Sequence, residues 1–262
     1  MDLEIKNKVM IVTGGASGIG AAITRRLAVE EAIPVIIDKN EEAGKTLIEK
    51  LQANDQKAVL IIRNLNSAES CKKAVKQAVE ETGRIDGLFN NAGINDAVGL
   101  EKGTSDQFLQ SLSRNLYHYY YMTQACLPEL KRNQGVIINT ASKTAITGQG
   151  NTSGYSASKG AQLALTREWA VELLKYGIRV NAIVPAEVMT PLYKNWLENS
   201  FSDPVKQKKS IERKIPLGHR FTTPEEIADM AVYLASGRAG HITGQHIHVD
   251  GGYVHLDRAI DP

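Results

Sequence analysis

Seven short apolar runs alternate with longer stretches of helical period, and this alternation constrains the fold more than any other feature of the chain. The runs fall at residues 8–13, 34–38, 58–63, 87–90, 135–140, 178–184 and 246–249, and are nearly continuous in apolar character. Strands written that way suit a parallel sheet covered on both faces. Helical patterns lie between them at 19–31, 41–53, 68–82, 105–131, 153–176 and 224–235. Strand then helix, repeated this often, means βαβ units and predicts an α/β fold, a doubly wound parallel sheet of about seven strands with helices on both faces. No Pro/Gly/Ser-rich linker divides the 262 residues, so a single domain over 1–262 is expected. Residues 191–214, rich in Lys, Asn, Ser and Glu, break the alternation. They read as a substrate lid at about 190–215 or as an ordinary surface loop.

Charge and composition exclude several function classes. Lys and Arg number 31 against 29 Asp and Glu, a formal net charge of +2, which argues against nucleic acid as the main partner. Hydrophobic residues at 42% and charged residues at 23% are ordinary globular usage and argue against disorder. The apolar runs are far shorter than the roughly 20 residues of a membrane helix. Residues 1–6 lack the basic flank and apolar stretch of a secretion signal, so no membrane partner and a cytoplasmic location are expected. Cys71 and Cys126 lie in helical patterns without metal-ligand spacing, and no metal is expected. The six histidines form no ligand set; His246 and His248 alternate on one strand and read as interface or surface residues.

The first strand runs into Thr13-Gly14-Gly15-Ala16-Ser17-Gly18-Ile19-Gly20 and then a helix. Glycines there allow a tight turn and let backbone approach a pyrophosphate at the helix N-terminus. Asp38 ends the second strand twenty residues after Gly18, where a carboxylate accepts hydrogen bonds from an adenosine ribose; its alternative use is to cap the following helix. A 2′-phosphate about 4 Å from that carboxylate meets roughly 4 kcal/mol of repulsion per unit charge at an effective dielectric near 20. That disfavours NADP on the order of a thousandfold unless Lys39 offsets it, so NAD is the expected cofactor.

Three motifs resemble those of the classical short-chain dehydrogenase/reductase family: Thr13-Gly-xxx-Gly18-x-Gly20, Asn90-Asn91-Ala92-Gly93 and Tyr155-Ser-Ala-Ser-Lys159. The resemblance covers essentially the whole chain. It implies a single NAD(P)-binding Rossmann domain, an oxidoreductase acting on CH–OH groups, and a homotetramer. It also implies a catalytic tetrad. Tyr155 is the general acid/base and Lys159 its activator; Ser142 stands thirteen residues before the tyrosine, and Asn115 holds the helix that completes a proton relay. The implied cofactor contacts are Gly14, Ser17, Gly18, Ile19, Gly20, Asp38, Asn64, Leu65, Asn91, Ala92, Gly93, Tyr155, Lys159, Pro185, Val188 and Thr190. Two positions depart from the pattern: Ala186 stands where the family usually has glycine, and Asn64-Leu65 where an aspartate often faces the adenine.

The chemistry has support of its own. Tyr155 and Lys159, four apart, share one helix face. A free phenol titrates near 10 and must come down about 3 units to act as a base near neutrality, which takes roughly 4 kcal/mol. A neighbouring ammonium and the positive ring of an oxidised nicotinamide are the charges available for this. A lone Tyr-x-x-x-Lys is equally a solvated helix face; the serine, asparagine and glycine turn set this one apart.

The substrate wall implied by the family includes Asn95, Asp96, Lys143, Gln149, Asn151, Glu187 and Asn195, with Asn95, Ser142, Gln149, Tyr155 and Glu187 as candidate substrate contacts. Such polar groups suit a polyhydroxylated small molecule if they face the pocket, because an unpaired buried polar group costs about 1–3 kcal/mol. Residues 185–196 and 250–258 resemble bacterial sugar dehydrogenases of the family described as L-fucose dehydrogenases. This implies carbohydrate metabolism: oxidation of the anomeric or secondary hydroxyl of L-fucose or a related aldose, giving a lactone and NADH. The alternatives are a hydroxysteroid or 3-oxoacyl substrate against Trp196, Leu197 and Phe201, and a catalytically silent NAD-binding regulator. Tyr117, Tyr119, Tyr120 and Tyr121 offer more aromatic surface than one helix face against a sheet needs, which suggests a subunit contact, with residues 241–258 a second.

Overall fold

The computed structural model describes residues 1–256. Seven strands, Val9–Thr13 (β1), Ile33–Asp38 (β2), Val59–Ile62 (β3), Gly87–Asn90 (β4), Val136–Thr140 (β5), Arg179–Pro185 (β6) and His246–Val249 (β7), form one sheet. Its order is β3-β2-β1-β4-β5-β6-β7, and every pairing is parallel. Each strand falls within about two residues of its sequence-based bounds. The helices are Gly18–Val29 (α1), Glu41–Gln52 (α2), Ala68–Thr82 (α3), Ser105–Leu112 (α4), His118–Asn133 (α5), Ser153–Leu173 (α6), Pro191–Ser200 (α7), Pro204–Glu212 (α8) and Pro224–Ala235 (α9).

Both faces of the sheet are buried, and successive residues of one strand enter different cores. Val9 and Ile11 pack with α3, α5 and α6 through Cys71, Met122 and Trp169. Met10 and Val12, between them, pack with α1 and α9 through Ile23, Leu27 and Ile227. This two-sided burial is why the strands are apolar throughout. From β1 the chain builds outward to β3, then returns to lay β4 on the other side of β1. That reversal opens a crevice at the carboxyl ends of β1 and β4, the place where open α/β sheets bind ligands.

Two segments differ from expectation in form. The pattern at 105–131 is not one helix: a π-helical turn, Ser113–Tyr117, separates α4 from α5. Residues 191–214, expected as a lid or loop, hold two short helices. Each has proline in its first turn and a capping side chain: Thr190 accepts from the Tyr193 N–H at 3.1 Å and Asp203 from the Lys206 N–H at 2.9 Å. Proline there loses no helical hydrogen bond and its fixed φ suits the start of a helix. No helix among the described residues is long and apolar enough to cross a membrane.

Candidate active site

The glycine turn after β1 is held across the crevice by side chains. Gly14 has φ +62°, and a Cβ at Gly20 would overlap the Gly14 carbonyl oxygen and the Asn91 amide. The Thr13 hydroxyl accepts from the backbone N–H groups of Asn91 (2.9 Å) and Ala92 (3.1 Å) and donates to the Phe89 carbonyl (3.3 Å). Asn91 Nδ2 donates back to the Thr13 carbonyl at 3.1 Å. Residues 90–93 are thereby fastened to the turn. Asp38 does not cap α2; Asn40 does, accepting from the Ala43 N–H at 3.0 Å. The Asp38 carboxylate instead accepts from Ala16 N (3.1 Å) and Asn40 N (3.0 Å), which sets it beside the glycine turn.

The segment after β6 reaches the same turn. Val188 bridges to Thr222 in strand fashion, and Thr190 lies against Gly18, its methyl 3.4 Å from where a Cβ would stand. Ala186 does not have positive φ, so alanine in place of glycine carries no backbone strain. Ser17, exposed at the N-cap of α1, makes no side-chain cap bond, and Ile19 is the second residue of that helix. Asn64 is exposed and its carbonyl accepts the Ser70 hydroxyl at 2.5 Å, while Leu65 packs against the core on the α3 side. A glycine-rich backbone cradle at a helix N-terminus, beside a carboxylate at the end of β2, fits a dinucleotide.

At the other end of the crevice, α6 brings Tyr155 and Lys159 to one face, with the ammonium 5.4 Å from the phenol ring centre. Lys159 is buried, and its Nζ donates to the Thr140 carbonyl (2.7 Å), Gln162 Oε1 (3.1 Å) and the Tyr119 hydroxyl (3.3 Å). Burial pushes Lys159 down to about 7. It also pushes Tyr155 up to about 12, against the downward pull of a hydrogen bond with Ser142. The lowering expected from the ammonium together with an oxidised nicotinamide has this desolvation to overcome. Ser142 Oγ accepts from the Thr144 N–H (3.3 Å) and hydroxyl (3.2 Å), which leaves its own proton for Tyr155. Asn115, in the π-helical turn, is fully buried; its Oδ1 accepts from Ile94 N (2.7 Å) and its Nδ2 donates to the Ser111 carbonyl (3.0 Å). Gly93 joins the two ends: a Cβ there would sit 3.0 Å from Asn115 Oδ1 and 3.7 Å from Lys159 Nζ.

Two residues of this cluster escaped sequence reasoning. Tyr119, expected with its neighbours as subunit-contact surface, is fully buried and donates to the Thr140 carbonyl at 3.0 Å. Gln162 lies one turn beyond the lysine. The aromatic run itself divides, with Tyr120 48% exposed.

The candidate substrate contacts also separate. Lys143 and Glu187 form a buried ion pair one residue beyond Ser142; the Tyr193 hydroxyl donates to Glu187 Oε2 at 2.6 Å, and the Lys143 ammonium lies 4.1 Å from the Tyr253 ring centre. Asn95 and Gln149 are exposed, and Asn95 Oδ1 accepts from Ala97 N at 3.2 Å. Asp96 accepts the Ser111 hydroxyl at 2.7 Å, and exposed Asn195 bonds Asn199 within α7. Tyr193, Trp196 and Phe201 stack edge to face, with centroids 5.2 and 5.0 Å apart, and Leu197 on α7 is buried. His246 and His248 make separate contacts, with the Leu163 carbonyl (3.0 Å) and His255 (3.4 Å).

Residues 14–254 match the family model described as enoyl-(acyl carrier protein) reductase. The chain belongs to the classical short-chain dehydrogenase/reductase family. Relatives of this short-chain dehydrogenase/reductase include the 3-oxoacyl-[acyl-carrier-protein] reductase FabG of Thermotoga maritima, 34% identical over 95% of this chain and 98% of that protein. The L-fucose dehydrogenase of Bos taurus is 36% identical over 95% of this chain and 90% of its own length. Among solved structures, Cj0485 dehydrogenase is 50% identical with a TM-score of 0.94, covering 100% of this chain and 99% of that one. The chain is therefore an oxidoreductase acting on CH–OH groups, from a family that binds nicotinamide cofactors.

Proposed function

We propose that this short-chain dehydrogenase/reductase oxidises the anomeric or a secondary hydroxyl of a sugar, L-fucose or a related aldose, with NAD, giving a lactone from the anomeric position or a ketone from a secondary one. The buried Lys143–Glu187 pair beside Ser142 carries the sugar reading. Its charged and hydrogen-bonding edges suit ring hydroxyls, whereas a steroid or acyl chain offers them no hydrogen-bonding partner. A relative named L-fucose dehydrogenase at 36% identity supports the same reading.

In the proposed reaction, Ser142 turns its one proton from Tyr155 to the reacting oxygen, and Tyr155, as phenolate, takes the hydroxyl proton. When bound, NAD supplies the hydride acceptor and a positive ring charge. Such a charge would draw down the Tyr155 phenol, which burial raises to about 12 against the pull of the Ser142 hydrogen bond. Lys159 keeps a cation behind the phenol, and Asn115 holds Ile94 and the loop that follows Gly93. Gly14, Ser17, Gly18, Ile19, Gly20, Asn91, Ala92, Pro185, Val188 and Thr190 bind the dinucleotide; Asp38, Asn64 and Leu65 serve its adenosine half. With Asp38 at the ribose, NADP is disfavoured. The chain acts as one NAD-binding unit in which α7 and α8 cover the substrate, in the cytoplasm, where two buried unpaired thiols stay reduced.

A homotetramer is part of the proposal. Leu109 on α4, Tyr120 on α5 and Val171 on α6 are 54%, 48% and 69% exposed, and offer apolar contact. The second contact expected over 241–258 lies partly outside the described residues.

A 3-oxoacyl or hydroxysteroid substrate is the second reading, favoured by the Tyr193–Trp196–Phe201 stack and the FabG relative. Initial rates with NAD and NADP against aldoses, hydroxysteroids and acyl thioesters decide between them. Preferred turnover of L-fucose or a related aldose with NAD is expected. Turnover confined to thioesters or steroids, or preference for NADP, overturns the proposal.

A further inference from the structure

Lys159 is 2% exposed, and an ammonium sealed from water has three donors to place. Two reach other elements, the Thr140 carbonyl closing β5 and the Tyr119 hydroxyl on α5. The third reaches Gln162 Oε1 at 3.1 Å, three residues on along α6. Gln162 is fully buried, and its other end is equally committed: Nε2 donates to the Asn115 backbone carbonyl at 2.6 Å. One amide therefore connects the lysine to the π-helical turn. Only a group carrying an acceptor and a donor side by side can do so, which methionine, leucine and ionised glutamate cannot.

The backbone that carries this amide is tied into a further set of bonds. The Gln162 backbone carbonyl accepts the Thr166 hydroxyl at 2.7 Å, and the same Thr166 oxygen accepts from Asn139 Nδ2 at 2.9 Å. Asn139 Oδ1 in turn accepts from Asn90 Nδ2 at 3.0 Å. This buried polar band crosses the ends of β4 and β5, where the glycine turn and residues 90–93 meet. Gln162, Thr166 and Asn139 are paired within this band, whereas Asn90 Oδ1 at its far end is buried without a partner; the paired members hold one another in one geometry.

We propose that Gln162 is a positioning residue of the reacting site: its oxygen keeps Lys159 charged and directed to the face shared with Tyr155, while its nitrogen ties that arrangement to Asn115. The proposal rests on the reading of Tyr155 and Lys159 as the reacting pair. The titratable groups facing Lys159 are Tyr155 on α6 and Tyr119 and His118 on α5. None of these is a carboxylate, so the neutral acceptors carry the burden of holding the charge. With burial drawing the ammonium down to about 7, a lost acceptor moves its titration lower still and a carboxylate in its place moves it higher.

The test uses the full chain with Gln162→Met and Gln162→Glu. Lysine Nζ NMR of the protein without ligand follows the titration of Lys159; the expected midpoint falls in Gln162→Met and rises in Gln162→Glu. With NAD and the best alcohol substrate, Gln162→Met lowers kcat about 10–100-fold, the loss of a hydrogen bond to a charged group, with KM little changed. The alkaline limb of its pH profile moves down, and that of Gln162→Glu moves up. If Gln162→Met does not fold, Gln162→Glu alone decides by the direction of its shift. Unchanged Lys159 midpoints in the folded variants overturn the proposal. A wild type with no NAD-dependent turnover contradicts the dehydrogenase chemistry instead, and the NMR titration still decides on Gln162.

Discussion

Tyr155 and Lys159 share one face of α6, and burial drives both toward their uncharged forms, the phenol up to about 12 and the ammonium down to about 7. Their pairing was legible because four residues is one helical turn. Tyr119 and Gln162 were not, because no local spacing marks a contact made by tertiary packing. Nearby His118 shows the same burial on the acid side. Its Nε2 donates to the Arg114 carbonyl at 3.0 Å, Nδ1 is buried without a partner, and desolvation pushes the ring down to about 4. The folded state therefore favours neutral imidazole. That stability is complete above the ordinary 6.5 and is lost as pH falls toward 4, about 3 kcal/mol in all. His118→Gln, which keeps the Nε2 donor, is expected to flatten the fall in Tm between pH 6.5 and 4; a fall as steep as wild type's speaks against it.

At the scale of elements, the π-helical turn was hidden because the apolar period continues from α4 into α5 without a glycine or proline to mark the break. What it does is aim Asn115 inward, where both ends of the side chain are bonded. Asn115→Ala leaves the Ile94 N–H and Ser111 carbonyl without these partners, an expected loss of about 1–3 kcal/mol in denaturant unfolding together with lower turnover. Wild-type stability in that variant would show the turn to be held by other contacts. The helices of residues 191–214 were marked in the sequence by Thr190-Pro191 and Asp203-Pro204, a cap followed by proline, although the polar composition read as loop. Through Tyr193, α7 closes on the Lys143–Glu187 pair. Glu187→Gln strands the Lys143 ammonium and is expected to cost about 3–5 kcal/mol, whereas Lys143→Met with Glu187→Leu costs far less. Equal losses in the two proteins would contradict a paired buried charge.

Over the whole molecule, the sheet follows from rules the sequence obeys: right-handed crossovers between parallel strands leave few arrangements of seven βα units, and β1 next to β4 creates the crevice. The meeting of Thr13, the glycine turn, Asp38 and residues 90–93 at one end of the crevice was legible for this reason, since all of them close or follow strands. The substrate wall was not, because whether a loop side chain faces inward depends on how α7 and α8 settle. Asn95 and Gln149 are exposed while Lys143 and Glu187 are buried, and their residue types alone do not separate them. The account as a whole needs a phenolate at Tyr155 beside a dinucleotide held in that crevice. Its most direct test is the rate of NADH formation from L-fucose and NAD by wild type and Tyr155→Phe. The expected result is steady turnover by wild type and a loss of about 10²–10⁴-fold in the variant, which folds with unchanged Tm. Equal rates in the two proteins would contradict it.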